Sequence, residues 1–310
     1  MILPYTLRLA VLSLGCFYLI HAVCAIAANL LAPWMLALAQ RRNSSSAARL
    51  LLAARLFPPA AALLAVAGIC VPSYLWLEPQ TGVEQVGLGC LAVAFLGALS
   101  WLIAAKRGVR AILFSMRYTR RCLAHETPGV FALAGILRPR VLISRDVFRQ
   151  LSQAELAAAL RHERAHAASR DNLKRLLLLL APDVLPFRIL RGLGTLENAW
   201  MGFTEWSADD RAVDGDPRRA VSLAGALVRV ARLRAPAEMS PLATSLVASA
   251  GDLEARVNRL LNPAPRRKNS GPIRPVFLTK AALLSGCLLA AITAPRTLQT
   301  AHQLLEHLIR

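Results

Sequence analysis

The sequence predicts a mainly α-helical membrane protein, four transmembrane helices with an α+β cytoplasmic domain between the third and the fourth. Three observations lead there: a hydrophobic content of 55% over 310 residues, apolar windows long enough to cross a bilayer, and a polar, strand-containing stretch before the last window. A helix needs roughly 20 apolar residues to span the hydrocarbon core. Such windows lie at Leu9 to Leu31, Leu56 to Leu77, Val86 to Ala105 and Val276 to Pro295. Residues 1–105 are therefore expected to hold three spans, 106–275 the cytoplasmic domain, and 276–310 the fourth span with a short extracytoplasmic tail.

The first window exceeds the roughly 7–15 residues of a signal-peptide core and has only Arg8 as a basic flank, so it is expected to stay in the mature protein. The net charge of +19 would suggest nucleic acid in a soluble chain, but here the cations flank the windows. Arg41, Arg42 and Arg49 follow the first, and Lys106, Arg107, Arg110, Arg117, Arg120 and Arg121 follow the third, whereas Glu78 and Glu84 lie between the second and third. Basic loops stay in the cytoplasm. Both termini are then extracytoplasmic, in a multi-pass inner-membrane topology, and no nucleic-acid partner is expected. Cys16, Cys24, Cys70, Cys90 and Cys287 fall inside the windows and only Cys122 outside. They read as small apolar filler, with neither a disulfide framework nor a cysteine metal site.

Within the domain, Val130 to Leu133 and Val141 to Ser144 are short apolar runs separated by Gly135 and Pro139, the pattern of a hairpin or a pair of short strands. Ser152 and Glu155 form a capping box, with Leu151 and Leu156 spaced as a hydrophobic staple, so a helix is expected to start at Gln153 and run through His166. Further helices are expected over Thr204 to Val213, Arg218 to Leu233 and Leu253 to Leu261. The leucine-rich run Leu173 to Leu190 contains Pro182, Asp183 and Pro186. It is read as a core or interfacial helix rather than a fifth span, because a span there would put Glu205 and His162 on opposite sides of the membrane.

The chemistry concentrates in His162-Glu163-Arg164-Ala165-His166. On a helix the i and i+4 histidines face the same way and can grip one ion, while the glutamate beside the first faces the same cavity as a general base. Catalytic zinc takes three protein ligands and keeps an open position. A third ligand is therefore sought downstream. Glu205 is the preferred candidate, because Asp209 four residues on would lie one turn along, placed to accept the outer ring N–H of a liganding histidine. Glu197 is the competing third ligand, without a paired aspartate. The histidines His21, His302 and His307 and the pair His125-Glu126 are given no role.

Taken in order, Pro128 to Ala132, Gly135 to Ile143, the HExxH helix, Asp171-Asn172 and Glu205-Trp206-Ser207-Ala208-Asp209 resemble the BlaR/MecR-type membrane metallopeptidases of bacteria. The resemblance implies a gluzincin-like zinc domain, one Zn2+ held by His162, His166 and Glu205, Glu163 as base, and an edge strand near Val130 to Ile143 that holds substrate backbone by strand addition. It also implies a zinc endopeptidase acting on a cytoplasmic or membrane-proximal protein, with a repressor as the regulatory substrate. The alternative is a signalling or scaffold protein that keeps the zinc fold without turnover. Expected partners are a protein or peptide substrate and the lipid bilayer, with room for a homodimer or a separate sensor protein. Only Arg296 to Arg310 follow the fourth window, so the expectation is a relative lacking the C-terminal sensor domain.

Overall fold

A computed structural model describes residues 3–78, 86–124, 129–136, 139–184, 191–233, 242, 244–246, 250–262, 299–300 and 303. Three described helices are long and apolar enough to cross a membrane, Tyr5–Gln40, Ser44–Leu77 and Leu88–Cys122. The expected fourth window, Val276 to Pro295, and His125-Glu126 lie outside the described residues.

The first helix, α1, covers Tyr5–Gln40. After a short turn in which the Asn43 side chain accepts from Ser46 N at 2.9 Å, α2 covers Ser44–Ala65. A π-helical turn at Val66–Cys70 then joins it to α3, Val71–Leu77. The helix α4 runs over Leu88–Ala124. Leu64, Trp76, Leu88, Phe95 and Leu102 are each at least 65% exposed, on three different helices. Apolar exposure on that scale suits lipid rather than water. Helices α1 and α4 meet closely at Gly97, where an added Cβ would stand 2.6 Å from the Leu14 carbonyl oxygen.

A 36-residue helix is about 54 Å long, against a hydrocarbon core about 30 Å thick. All three long apolar helices therefore outrun the apolar windows, α1 past Leu31 as far as Gln40, α2 back through Arg55 to Ser44 and α4 past Ala105, because an α-helix satisfies its own backbone in water as well as in lipid. The overhang is used. Ala32 and Ala39 of α1 and Ala47 and Leu51 of α2 are fully buried against Leu193, Leu196 and Trp200, which lie on α8, Arg191–Val213.

The polar half begins with β1, Phe131–Ala134, paired antiparallel with β2, Arg140–Ile143, and with β3, Thr244–Ser245. The sheet order β2-β1-β3 makes β1 central, so the described edges are β2 and β3. The two four-residue strands lie within a residue of the bounds that the sequence predicts, whereas β3 is a two-residue pairing too short to leave a hydrophobic period. Next come α5, Arg145–Gln150, and α6, Gln153–Ser169, which opens with the expected capping box. Arg170 ends α6 in the left-handed conformation, φ 53°, and leads directly into α7, Asp171–Leu180. At 10 residues, α7 is too short to cross a bilayer. Its Leu176 and Leu178 are buried. The last two described long elements are α9, Pro217–Leu233, and α10, Ala250–Leu261. Phe131, Ala158, Ala159, Leu223, Leu227 and Leu246 form the core where α6, α9 and the sheet meet.

Where the membrane helices meet the polar half, charges are buried. Arg55 of α2 is 2% exposed and donates to Asp183 at 2.9 Å, while its Nε lies 3.6 Å from Glu197 of α8. Arg107 of α4 also binds Asp183.

Candidate metal centre

Helical periodicity brings His162 and His166 to one face of α6, and packing makes that face the inside of the molecule. Both rings and Glu163 between them are fully buried. Glu205, two helices later on α8, reaches the same point. His162 Nε2 and His166 Nε2 lie 3.0 Å apart, and Glu205 Oε2 lies 3.5 Å from the first and 3.6 Å from the second. Ligands at about 2.0–2.1 Å from a tetrahedral zinc are about 3.3–3.4 Å from each other. The triangle matches that spacing.

The outer ring nitrogens explain why the inner ones converge. His166 Nδ1 is 2.8 Å from Asp171 Oδ2, and His162 Nδ1 is 2.9 Å from Asp209 Oδ1. A carboxylate at Nδ1 assigns the proton there and leaves the Nε2 lone pair facing the other histidine. Two lone pairs and a carboxylate oxygen, buried together, require a cation or protons between them. Two imidazole nitrogens and one carboxylate oxygen form a donor set that zinc accepts.

The left-handed residue Arg170 is what places Asp171: it ends α6 one turn past His166 and lets the first residue of α7 fold back to that ring. The next residue, Asn172, donates to Leu133 O at 3.2 Å and Gly135 O at 2.8 Å. This ties α7 to the central strand. Lys174 Nζ holds the other oxygen of Asp171 at 2.8 Å.

Arg256, on α10, was not singled out in the sequence and sits in the middle of the site, 3% exposed. Its Nη1 donates to Leu246 O at 2.7 Å and lies 3.2 Å from Glu205 Oε2. Arg175 approaches the other oxygen of Glu205 at 3.4 Å. Glu205 is thus flanked by two guanidinium groups as well as two histidines. A buried arginine next to a metal site has no sequence signal of its own, since Arg256 is one of many cations in a chain of charge +19.

Electrostatics follow from this crowding. Burial pushes Glu163 upward, and the opposing pull of His162 and His166 is too weak to cancel it, so its carboxyl rises to about 7. Burial also works against the charged forms of His166 and Asp209. For His166 the Glu205 charge and the Asp171 hydrogen bond prevail and hold the ring up at about 9. For Asp209 the Arg256 charge and the His162 hydrogen bond prevail and hold the carboxyl down at about 2. Glu205 is likewise depressed well below the usual carboxylate range, its burial outweighed by His166, His162 and Arg256. The site therefore holds one proton-accepting carboxylate near neutrality beside carboxylates that stay charged.

Glu197 is elsewhere. It lies two helical turns before Glu205 and faces Arg55. His162, His166 and Glu205 form the sole cluster of three potential ligands among the described residues, their donor atoms all within 4.8 Å of one another.

Residues 107–210 match the family model of peptidase family M48. The matched segment runs from the middle of α4 into α8 and takes in His162, Glu163, His166, Glu205 and Asp209, while Arg256 lies beyond it. The match supports a metal-dependent peptidase of that family, and the three apolar helices support a membrane setting for it. No curated protein and no solved structure matches the chain.

Proposed function

We propose that this chain is an integral membrane zinc endopeptidase in which His162, His166 and Glu205 hold the metal and Glu163 is the general base. The observation that carries the reading is the buried Nε2, Nε2, Oε2 triangle with sides of 3.0, 3.5 and 3.6 Å. Bound there, zinc supplies Lewis acidity, polarising a scissile carbonyl and lowering the pKa of an attacking water.

The chain's own residues supply the rest. Glu163, raised to about 7 by burial, takes the water's proton and passes it to the leaving amine, a role that needs a pKa near the working pH. Asp209 and Asp171 fix the ring orientations of His162 and His166 through Nδ1. Arg256 holds Asp209 in turn, and stands beside Glu205. Such outer contacts set ligand geometry and basicity.

The positive flanks of the first and third windows support a cytoplasmic position for this centre. By the BlaR/MecR-type resemblance, the substrate is a cytoplasmic or membrane-proximal protein, a transcriptional repressor in the regulatory case. The test is zinc per polypeptide on the full chain in detergent, with cleavage of a protein substrate compared between wild type and Glu163→Gln. About one zinc per chain, and cleavage lost in the variant with zinc retained, is the expected result. A well-folded wild type that takes up no zinc would overturn the reading.

A further inference from the structure

A cavity of about 120 Å³ lies between the first turns of α2, the junction of α6 with α7, and α8. A volume of this size has room for several waters or an anion as large as phosphate. Three cations line it, Arg49, Lys174 and Arg211, and the hydroxyls of Ser45, Ser169, Thr204 and Ser207 line it with them. The single carboxylate in the wall is Asp171, which already serves Lys174 at 2.8 Å and His166 at 2.8 Å. Among the described residues neither arginine pairs with a carboxylate. Arg49 donates to Ser46 Oγ at 3.3 Å, and Arg211 to Ser207 Oγ at 3.2 Å and Ala165 O at 3.4 Å.

Two guanidinium groups that lack an acid, an ammonium group shared with one, and four hydroxyls around a concave space make a donor-rich, acceptor-poor site. Tetrahedral oxyanions with charge near −2 are what such a set recognises, since guanidinium forks and hydroxyls can each take a phosphate oxygen. The location adds a source. The cavity borders α2 just before the apolar window that starts at Leu56, where an anionic lipid headgroup is within reach.

We propose that this cavity is a binding site for a phosphate-class anion, supplied either by a phospholipid headgroup or by free phosphate. It shares Asp171 with the metal centre, so an occupant competes for Lys174 with the carboxylate that orients His166. The binding itself does not depend on the peptidase reading.

The test uses the full chain in nanodiscs. One arm measures saturable binding of inorganic phosphate by equilibrium dialysis in phosphatidylcholine discs at fixed ionic strength. The other counts phosphatidic acid molecules retained on the chain after delipidation from mixed discs. Arg49→Gln and Arg211→Gln are compared with Arg232→Gln, an exposed arginine on α9 that does not line the cavity. About one phosphate per chain, with half-saturation raised about tenfold in the two cavity variants and unchanged in the control, supports the site with free phosphate as ligand. Retained phosphatidic acid lost in the same two variants supports it with the headgroup as ligand. No saturable binding in either arm, or binding that Arg232→Gln weakens as much as Arg49→Gln, overturns it. Zinc measured on the same samples reads the metal centre separately: a zinc-free chain that binds phosphate at Arg49 and Arg211 loses the peptidase reading and keeps this site.

Discussion

Arg256 grips Asp209 with two hydrogen bonds, Nε to Oδ2 at 2.9 Å and Nη2 to Oδ1 at 2.7 Å, and the same carboxylate faces His162 Nδ1 at 2.9 Å. The arginine thus reaches His162 through an aspartate, and it also lies 3.2 Å from Glu205 Oε2 directly. Asp209→Asn and Arg256→Gln are each expected to weaken zinc affinity about 10–100-fold, the usual cost of removing an outer partner of a ligand. Because the two residues share one carboxylate–guanidinium contact, the double variant is expected to lose less than the sum of the two singles. Chelator competition on the purified chain measures all three. Additive losses would sink the shared route.

Metal content separates the two glutamates of α8. His166→Ala and Glu205→Ala are expected to lose stoichiometric zinc, since each removes one corner of the triangle. Glu197→Ala is expected to keep it, because Glu197 faces Arg55 instead. Zinc lost on replacing Glu197 and kept on replacing Glu205 would reverse the assignment.

Glu163→Gln removes a base without removing a ligand. Its zinc should be unchanged, and turnover should fall by about 10²–10⁴-fold, the range that general bases contribute. Zinc content and single-turnover cleavage on one preparation decide it; a variant that cleaves at the wild-type rate excludes Glu163 as the base.

Protons and metal compete for the site. His166 is held up at about 9 and His162 is also raised, both by carboxylates that outweigh burial, so at neutral pH the metal-free site is protonated and zinc must displace that proton. Apparent zinc affinity should therefore climb as pH rises toward 9, by about tenfold per unit for each proton released. Titration calorimetry in buffers of different ionisation enthalpy counts those protons. For turnover the sign is the same: the Glu163 carboxylate is the active form, so activity is lost as pH falls. The limb starts from about 7 in the metal-free site and moves lower once a bound cation favours the charged form. An activity that rises on acidification would exclude this base.

Arg55 carries the junction between membrane helices and metal centre. Arg55→Met leaves Glu197 and Asp183 without their shared cation, although Asp183 keeps Arg107. Breaking a buried ion pair from one side costs about 3–5 kcal/mol, and a clear drop in the thermal midpoint of the detergent-solubilised chain is expected, with Arg55→Lys recovering part of it. An unchanged midpoint in Arg55→Met would mean that this network holds nothing together.

The features legible in the sequence are local. The capping box at Ser152 and Glu155, the histidines one turn apart on α6 and the carboxylates one turn apart on α8 follow from helical periodicity, which relates residues no more than four apart. The three apolar helices are legible for a similar reason, as hydrophobicity summed over a window, though not their ends: α1 continues past its window to Gln40 and α2 begins before its window, at Ser44, and these extensions build the platform under α8. Which distant groups meet is settled by packing instead. That Glu205 rather than Glu197 reaches the histidines depends on how α8 lies against α2 and α6. That Asp171 turns back to His166 depends on one left-handed residue, Arg170. That Arg256 is buried beside Asp209 depends on α10 returning across 47 residues. None of these leaves a periodic trace, because closing a long loop correlates positions through packing and charge and not through spacing.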